Sequence, residues 1–383
     1  MTSTINMIKS RYFLILCIGF IGFISSNEDI EKLVLPEGFK ISIYANGLVS
    51  PRQITQSESG YVFVGSKTKQ SDNGKIIALI DINNDGFAEE RVIVAEELDF
   101  PTGVSINNGD LYFSEINKIW KIKDIESWID SKRLELPNRD LVTDNLPSNT
   151  WHGYKYIDFG PDGNIYVSVG APCNVCTEPQ QRDNRFGAIH RYSKGQLTTI
   201  AEGVRNSVGF DWSPKNKKLY FTDNGRDWLG DNSPSCELNV VNKEGSFYGF
   251  PYKHAKNVID PEFGALIPSI KKEFVDPIAE LGPHVAPLGM VFYDNNKFPH
   301  KYENSIFIAL HGSWNRTKKS GYKIIFVKLD EEGNYMYQED FITGWLDSES
   351  AWGRPVSPFI MSDGSMLISD DKSNVIYRVT YSG

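Results

Sequence analysis

The feature that most constrains this chain is a short motif that recurs six times. Each copy is a turn rich in Gly, Asp, Asn or Pro, followed by a strand that alternates aromatic and β-branched residues with others. The copies are SESGYVFVGS from Ser57, NNGDLYFSE from Asn107, GPDGNIYVSVG from Gly160, SPKNKKLYFTDNG from Ser213, YENSIFIALHG from Tyr302 and MSDGSMLISDD from Met361. The first four start about 50 residues apart, and about 90 residues separate the fourth from the fifth. This pattern predicts an all-β protein, a six-bladed β-propeller with one long insertion between the fourth and fifth repeats.

The repeats begin after a segment of a different kind. Lys9 and Arg11 precede an apolar run at 12–24, which is the pattern of a secretory signal peptide. The run is about 13 residues long, whereas a membrane span needs about 20, so we expect cleavage rather than a membrane anchor. The sequence therefore predicts a signal peptide at 1–26 and a single propeller domain at 27–383. We expect a secreted or periplasmic protein with no membrane contact after cleavage.

Charge restricts the ligands that such a propeller can bind. The chain has 40 basic and 49 acidic residues, which give a formal net charge of -9 at pH 7. It therefore lacks the general positive charge of nucleic-acid-binding proteins, and no nucleic acid is expected as a partner. An anionic ligand has to be held by cations at particular positions.

Two of the cysteines lie close together in the sequence. Cys173 and Cys176 form a Cys-x-x-Cys pair that lacks the following His of a haem attachment site and a second pair at zinc-site spacing. In an oxidising compartment we expect a local disulfide that closes a tight loop, with a redox-active pair as the alternative. Cys236 is left over, and we expect a small, partly buried side chain there.

Polar residues at one phase of the repeat indicate a site on the propeller axis. His152, Arg205 and Arg354 lie ten or eleven residues before a position in the turn of their own repeats, and Arg52 and Thr102 begin the corresponding strands of blades one and two. Histidine can take a proton from an alcohol near neutral pH, and arginines bind carboxylates or an anionic oxygen. The chain has no Gly-x-Ser-x-Gly elbow, no dinucleotide fingerprint and no phosphate loop, which argues against acyl transfer and a nicotinamide on a Rossmann turn.

The segment DINNDGFAEE imitates part of a calcium-binding loop. Asp81, Asn83, Asp85 and Gly86 match the first half of an EF-hand loop, but the twelfth position is Val92 instead of a bidentate Glu. We therefore expect a hairpin turn between two strands.

Five longer segments are more specific when taken together. They are VRNSVGFDWSPKNKKLYFTDNG (204–225), CELNVVNKEGSFYGFPY (236–252), HVAPLGM (284–290), LHGSWNR (310–316) and WGRPVSPFIMSDG (352–364). With the opening LPEGFKISIYANGL (35–48), this combination resembles the soluble pyrroloquinoline quinone (PQQ)-dependent sugar dehydrogenase family, the glucose and sorbosone dehydrogenases. The resemblance covers nearly all of the mature chain. It implies a quinoprotein that binds PQQ and Ca²⁺, oxidises a small-molecule sugar or aldose, and passes electrons to an external acceptor, a cytochrome or a quinone.

The resemblance also implies roles for individual residues. His152 in WHGYKY matches the family's base, which removes a proton from the sugar's anomeric hydroxyl while a hydride passes to the quinone. Arg205 and Asn206 match the pair that contacts the quinone, with Arg205 stabilising the oxygen that gains charge. The backbone carbonyl oxygens of Gly225 and Arg226 match the ligands of the cofactor calcium.

Further contacts with the cofactor are expected in the same segments, and some positions depart from the family pattern. The additional cofactor-binding candidates are Asn224, Trp314, Arg316, Trp352 and Arg354. Trp151 stands where the family's best-known glucose oxidisers have Asp, and the second-blade loop reads FPTG where they have Gln. Glucose specificity is therefore not implied. Cys236 replaces an acidic residue beside Glu237, so the resemblance does not extend to a second calcium site.

Two other functions stay open at this point. A calcium-dependent lactonase-type hydrolase on a similar propeller would need carboxylates around an axial metal, whereas the axial positions here are His and Arg. A non-catalytic propeller that binds a carbohydrate or a protein is compatible with the altered sugar-side residues. The sequence does not specify the sugar, the electron acceptor or the oligomeric state, and it leaves a homodimer open.

Overall fold

Short strands separated by tight turns make up almost all of the regular structure, as the repeats predict. The computed structural model describes residues 27–177 and 183–383. The predicted signal peptide at 1–26 lies outside the described residues. Within the described ranges, no helix has the length and apolar character needed to cross a membrane.

The first half of the ring contains three blades. The chain begins with helix α1 (Asn27–Ile30) and strand β1 (Phe39–Ala45). Blade one consists of β2 (Pro51–Gln56), β3 (Val62–Ser66), β4 (Gly74–Ile80) and β5 (Glu90–Leu98). Blade two consists of β6 (Val104–Asn107), β7 (Asp110–Ser114), β8 (Ile119–Ile122) and β9 (Asp140–Thr143), with helix α2 (Ile125–Asp130) before the last strand. Blade three consists of β10 (Ile157–Phe159), β11 (Ile165–Val169), β12 (Ala188–Ser193) and β13 (Gln196–Glu202).

Blade four is interrupted by a long insertion. Its first three strands are β14 (Phe210–Trp212), β15 (Leu219–Asp223) and β16 (Ser235–Val240). The insertion contains β17 (Ser246–Phe247), which pairs parallel with β13 as a fifth strand of blade three. It also contains β18 (Lys253–His254) and β19 (Val258–Ile259), and blade four resumes with β20 (Ala279–Pro283). The insertion thus lies within blade four, before its last strand. The repeat motif marks the first hairpin of each blade, so an insertion after the third strand lengthens the interval to the next motif.

The last two blades complete the ring. Blade five consists of β21 (Pro287–Phe292), β22 (Ser305–Leu310), β23 (Lys323–Leu329) and β24 (Tyr335–Ile342). A small hairpin, β25 (Leu346–Asp347) and β26 (Ser350–Ala351), precedes blade six, which consists of β27 (Pro355–Ile360), β28 (Met366–Asp370) and β29 (Val375–Tyr381). Short 3-10 helices occur at Gln70–Asp72, Gly264–Ser269 and His300–Tyr302. The six-bladed propeller predicted from the repeats is confirmed.

The N-terminal strand closes the ring. Strand β1 pairs antiparallel with β29 and forms the outer strand of blade six. The ring of Phe39 contacts Phe298, Tyr302 and Phe341 edge to face, with centroid distances of 4.8, 5.5 and 5.0 Å. These contacts join blade six to blade five.

The strands that carry the repeat motif form the core between blades. In five blades the second strand is buried along its whole length: β3, β11, β15, β22 and β28. The innermost strands β2, β21 and β27 each have a register shift near their first residues. Such irregularities redirect side chains at the end of a strand. They occur where these strands begin at the channel.

Candidate functional site

The starts of the innermost strands enclose a cleft of about 420 Å³. Five of the six blades contribute residues to its wall. Seven of the residues predicted from the sequence line it: His152, Arg205, Asn206, Asn224, Gly225, Trp314 and Arg354. The repeat phase predicted three of them, His152, Arg205 and Arg354, and the family resemblance predicted the other four.

His152 has the geometry of a neutral base. It lies in the turn before β10, with a left-handed backbone φ of 50°. Its Nδ1 is 2.8 Å from the carbonyl oxygen of Ala171. A carbonyl oxygen only accepts, so Nδ1 carries the proton and Nε2 keeps its lone pair, which has no partner among the described residues. Burial, followed by the charge of Arg205, lowers the pKa of His152 to about 3, so the ring is neutral at physiological pH.

Gly170 brings His152 and Asn206 together. A Cβ atom at this position would lie 2.5 Å from the Cβ of His152 and 2.9 Å from Oδ1 of Asn206. Contacts this short do not occur, so any side chain here would push the two residues apart. The glycine therefore allows the base and an amide to lie side by side.

Arg205 is buried, and its guanidinium is held by four hydrogen bonds. Nε and Nη2 donate to the carbonyl oxygen and Oδ1 of Asn174 at 2.8 and 2.9 Å. Nη2 also donates to Oδ2 of Asp227 at 3.2 Å, and Nη1 donates to the carbonyl oxygen of Asn224 at 3.2 Å. An arginine has five N–H donors, so one N–H of Nη1 lacks an acceptor among the described residues. This fixed cation can hold an anionic oxygen.

The predicted disulfide positions Arg205. Cys173 and Cys176 are bonded, which confirms the local disulfide. Between them, Asn174 accepts from Arg205, and its Oδ1 also accepts from the backbone N–H of Asp227 at 2.8 Å. The amide nitrogen of Asn174 donates to the carbonyl oxygen of Asp227 at 3.2 Å. The closed loop therefore holds two of the four acceptors that orient the guanidinium.

Asp223, at the end of β15, supports the Arg205–Asn206 pair. Its carboxylate accepts from the backbone N–H groups of Arg205 and Asn206 at 2.8 and 2.7 Å. Asn224 donates its amide N–H groups to the carbonyl oxygens of Asn206 and Pro287, both at 3.0 Å. The side-chain amide of Asn206 has no hydrogen-bond partner in the described part of the chain, and it is available to a ligand.

Arg354 repeats this arrangement in blade six. Its backbone N–H donates to Oδ1 of Asp370 at 2.9 Å. Nε donates to the carbonyl oxygen of His311 at 3.0 Å, and Nη2 donates to that of Gly312 at 2.7 Å. Three N–H groups of Arg354 are left without an acceptor among the described residues.

A second ionic group lies beside Arg354. The buried carboxylate of Asp371 accepts from Arg52 Nη1 at 2.9 Å and from His311 Nε2 at 2.8 Å, and it lies 3.7 Å from Lys67 Nζ. Although burial opposes it, the contact with His311 and the charges of Arg52 and Lys67 hold the pKa of Asp371 well below its usual range. Burial lowers the pKa of His311 to about 4. Asp371 is thus an ionised anchor for two cations on the cleft wall.

Tryptophans are exposed at the rim of the cleft. Trp314 is 66% exposed and packs edge to face against Trp228, with a centroid distance of 5.4 Å. Trp151 is 54% exposed, and its ring centroid is 5.8 Å from that of His152. These rings offer surfaces for a planar or sugar-like ligand.

Three predicted residues lie away from the cleft wall: Arg226, Arg316 and Trp352. The side chain of Arg226 turns into the insertion, where Nη1 donates to Oδ2 of Asp260 at 2.5 Å. The calcium ligand predicted at Arg226 is its backbone carbonyl oxygen, and that role stays a prediction. The Nε of Arg316 donates to the carbonyl oxygen of Asp231 at 2.9 Å. Trp352 packs against the hydrophobic core of blades five and six. A motif places a residue near the site, but local packing decides which way its side chain points.

Arg52, which the repeat phase placed at the start of the innermost strand of blade one, also lines the cleft. Several other residues of the wall were not assigned to the site from the sequence: Lys67, Tyr154, Asp227, Cys236, His284 and His311. Cys236 is a free cysteine and is buried, more so than expected.

Carboxylates are scarce in the cleft. Asp227 is the single Asp or Glu among its described lining residues. Outside it, Asp81, Asp85 and Glu89 are near enough to one another to hold a metal ion, and no other such group of three occurs within the residues described. They lie in the turn between β4 and β5, which confirms the predicted hairpin turn.

Comparison with known proteins places this geometry in a family. A family model described as a domain of unknown function, DUF7133, matches residues 25–379. The chain belongs to this family. An uncharacterized protein of Borreliella burgdorferi is 35% identical over 370 residues, which cover 94% of this chain and 93% of that protein.

Other relatives of this DUF7133 protein carry names that describe an activity. A pyrroloquinoline quinone-dependent sugar dehydrogenase of Hypocrea jecorina is 23% identical over 333 residues, 73% of each chain. The holo form of the pyranose dehydrogenase PQQ domain from Coprinopsis cinerea superimposes with a TM-score of 0.75 at 18% identity, covering 91% of this chain and 97% of that one. The resemblance to PQQ-dependent sugar dehydrogenases is therefore confirmed.

Proposed function

We propose that this DUF7133 protein is a quinoprotein oxidoreductase that oxidises a CH–OH group of a sugar, an aldose or a sorbosone-type sugar, with PQQ as hydride acceptor. The observation that carries the proposal is the pairing of a neutral His152, with a free Nε2 lone pair, and a fixed Arg205, with one free N–H, in a single cleft. The relatives named above support this assignment.

The residues of the cleft fit PQQ, which is planar and carries three carboxylates. Arg205 and Arg354 provide cationic donors without acceptors, and Asn206 provides an unpaired amide. Trp314 provides an exposed ring for stacking. PQQ supplies an electrophilic carbonyl carbon that accepts a hydride.

His152 acts as the general base. Its Nε2 accepts the proton of the sugar hydroxyl while the C–H hydrogen of the same carbon leaves as hydride, so that the C–OH group becomes C=O. The hydrogen bond from Nδ1 to Ala171 fixes the tautomer and the ring orientation. The low pKa of His152 keeps the lone pair available.

Arg205 supplies fixed positive charge where negative charge develops. Four hydrogen bonds orient it before any ligand binds, so little reorganisation is needed during the reaction. The free N–H of Nη1 would donate to the quinone oxygen that gains charge.

Calcium is the second cofactor in the proposal. The backbone carbonyl oxygens of Gly225 and Arg226 would bind it, and Ca²⁺ prefers such oxygen ligands. Gly225 lies on the cleft wall, whereas Arg226 does not. Two backbone ligands alone bind weakly, so we expect tight calcium binding only when cofactor oxygens contribute.

The proposal includes export and an external electron acceptor, a cytochrome or a quinone. Both follow from the predicted signal peptide and from the resemblance. A homodimer is the assembly to test by light scattering. The lactonase-type alternative receives no support, because Asp227 is the single carboxylate on the described cleft wall.

The proposed function is tested by titration of the purified protein with PQQ and Ca²⁺, followed by an aldose panel with a dye acceptor. We expect saturable PQQ binding that EGTA weakens, and dye reduction that needs both PQQ and sugar. His152→Gln should lower kcat about 10²- to 10⁴-fold and leave the Kd for PQQ within about threefold of wild type. Absence of PQQ binding would overturn the proposal and favour a non-catalytic binding propeller.

A further inference from the structure

We propose that Arg52 and Lys67 form a subsite for an anionic group, a carboxylate or a phosphate, on the sugar substrate. The preferred substrate would then be an acidic sugar such as a uronate. This inference rests on the proposed function for its redox step, but the binding of the anionic group can be tested separately.

Arg52 is a buried cation with unused donors. Its side chain is only 4% exposed. Its guanidinium makes a single hydrogen bond, from Nη1 to the carboxylate of Asp371. Four of its five N–H groups have no acceptor in the described parts of the chain. Arg52 lines the cleft, so these four N–H groups are donors that a ligand in the cleft can use.

Lys67 adds a second positive charge beside Arg52. Its side chain is 39% exposed, and its Nζ lies 3.7 Å from Oδ2 of Asp371. Arg52 and Lys67 both lie over the ring of Tyr154, at 5.7 and 6.0 Å from its centroid. Both cations contact the same carboxylate, that of Asp371. The third partner of Asp371, His311, is neutral, so two positive charges are balanced by one negative charge. A net positive charge is left facing the cleft.

The subsite and the base line the same cleft. Tyr154 follows His152 by two residues, and both line the cleft. The same cleft is lined by an exposed Trp151 and by these two cations, and Asp227 is the single Asp or Glu among its described lining residues. Guanidinium and ammonium groups bind carboxylates and phosphates more strongly than they bind neutral hydroxyls. A uronate carries its carboxylate on C6, away from the anomeric carbon that loses the hydride.

A carboxylate of PQQ is the other source of the same chemistry. Arg205 and Arg354 already offer donors to the cofactor from blades four and six. Arg52 and Lys67 belong to blade one; they lie over Tyr154, and their shared partner Asp371 also brings them near Arg354. We assign them to the substrate because Tyr154 is two residues from the base, and the test separates the two sources.

The test compares Lys67→Gln with Lys69→Gln. Lys69 is exposed on the same loop and lines no described part of the cleft, so its variant removes the same charge nearby. Arg52→Lys is the second variant, because it keeps the charge but loses the planar fork. For each protein we would measure kcat/KM for D-glucuronate and D-glucose, the Kd for PQQ by tryptophan fluorescence, and D-glucuronate and D-glucose 6-phosphate binding to the cofactor-free protein by calorimetry.

We expect wild type to prefer D-glucuronate to D-glucose by about tenfold or more, and Lys67→Gln and Arg52→Lys to lower that ratio about tenfold. Lys69→Gln should keep the wild-type ratio, and all four proteins should have similar Kd values for PQQ. A wild-type protein that oxidises D-glucose as well as D-glucuronate would overturn the inference while sparing the proposed function. A rise in the Kd for PQQ of about tenfold in Lys67→Gln, without a change in ratio, would assign the subsite to the cofactor.

Calorimetry decides the case in which no sugar is oxidised. The proposed function would then have failed, and the subsite would be judged by anion binding alone. Binding of D-glucuronate or D-glucose 6-phosphate to wild type, and its loss in Lys67→Gln but not in Lys69→Gln, would support the subsite. No binding of either anion to wild type would overturn it.

Discussion

At the scale of single residues, the protonation state of His152 decides what the cleft can do. The carbonyl oxygen of Ala171 holds the proton on Nδ1, and burial together with Arg205 resists a second proton. Both effects favour a neutral ring with a lone pair on Nε2. This is the state that a general base needs before it meets its substrate.

The pH dependence of the reaction follows from this. The folded protein holds the pKa of His152 at about 3, below the ordinary value near 6.5, so the active neutral form persists as the pH falls. We expect kcat/KM to stay level from pH 7 to about pH 4.5 and to fall only below that range. Steady-state kinetics over pH 4 to 8, with circular dichroism to confirm folding, measures the profile. A drop centred near pH 6.5 would contradict the assigned environment of His152.

A site residue could be predicted from the sequence when the repeat itself brings it to the cleft. His152, Arg205 and Arg354 share a phase of the repeat, so the sequence alone placed them on one axis. Contacts between blades, such as those of Asp371 with its cations, depend on distant segments that no local pattern brings together. Side-chain direction was also beyond prediction, because Trp352 follows a family motif but packs into the core.

At the scale of elements, the disulfide loop at 173–176 supplies two of the four acceptors that hold the Arg205 guanidinium. We expect the double variant Cys173→Ser, Cys176→Ser to raise the Kd for PQQ about tenfold, because Asn174 loses its fixed position. Asn174→Ala, which keeps the disulfide but removes the Oδ1 acceptor, should reproduce most of that rise. Fluorescence titration measures both. An unchanged Kd in Asn174→Ala would show that the loop does not act through Arg205.

The insertion of blade four is anchored by a buried ion pair. Arg226 and Asp260 have side chains that are 5% and 0% exposed, and removing one partner leaves the other charge buried. We expect Arg226→Met to lower the free energy of unfolding by about 3 to 5 kcal/mol in urea.

A control lies in the same insertion. Lys253 pairs with a half-exposed Asp276, so Lys253→Gln should cost less than about 1 kcal/mol. Equal losses in the two variants would mean that burial does not set the strength of these pairs.

The location of the insertion itself was only partly predictable, since the repeat interval gave its size but not the strand that it follows.

At the scale of the whole molecule, the ring of blades explains why the cleft is lined by residues from distant parts of the sequence. In five of the six blades, residues at the start of the innermost strand line one cleft. The number of blades could be predicted because the motif that repeats is also the buried second strand. Closure of the ring by β1 could not be predicted from the repeats, because β1 pairs with β29 and these strands come from opposite ends of the domain.

The most direct test of the proposed function is a single-turnover measurement. Protein loaded with PQQ and Ca²⁺ would be mixed anaerobically with excess sugar, D-glucuronate and D-glucose in separate runs, while the absorbance of the bound quinone is followed. Our account predicts rapid loss of the oxidised-quinone spectrum with wild type, and a rate about 10²- to 10⁴-fold lower with His152→Gln at equal cofactor occupancy. Equal rates for the two proteins would contradict the role of His152, and an unchanged spectrum with every sugar tested would contradict the proposed function.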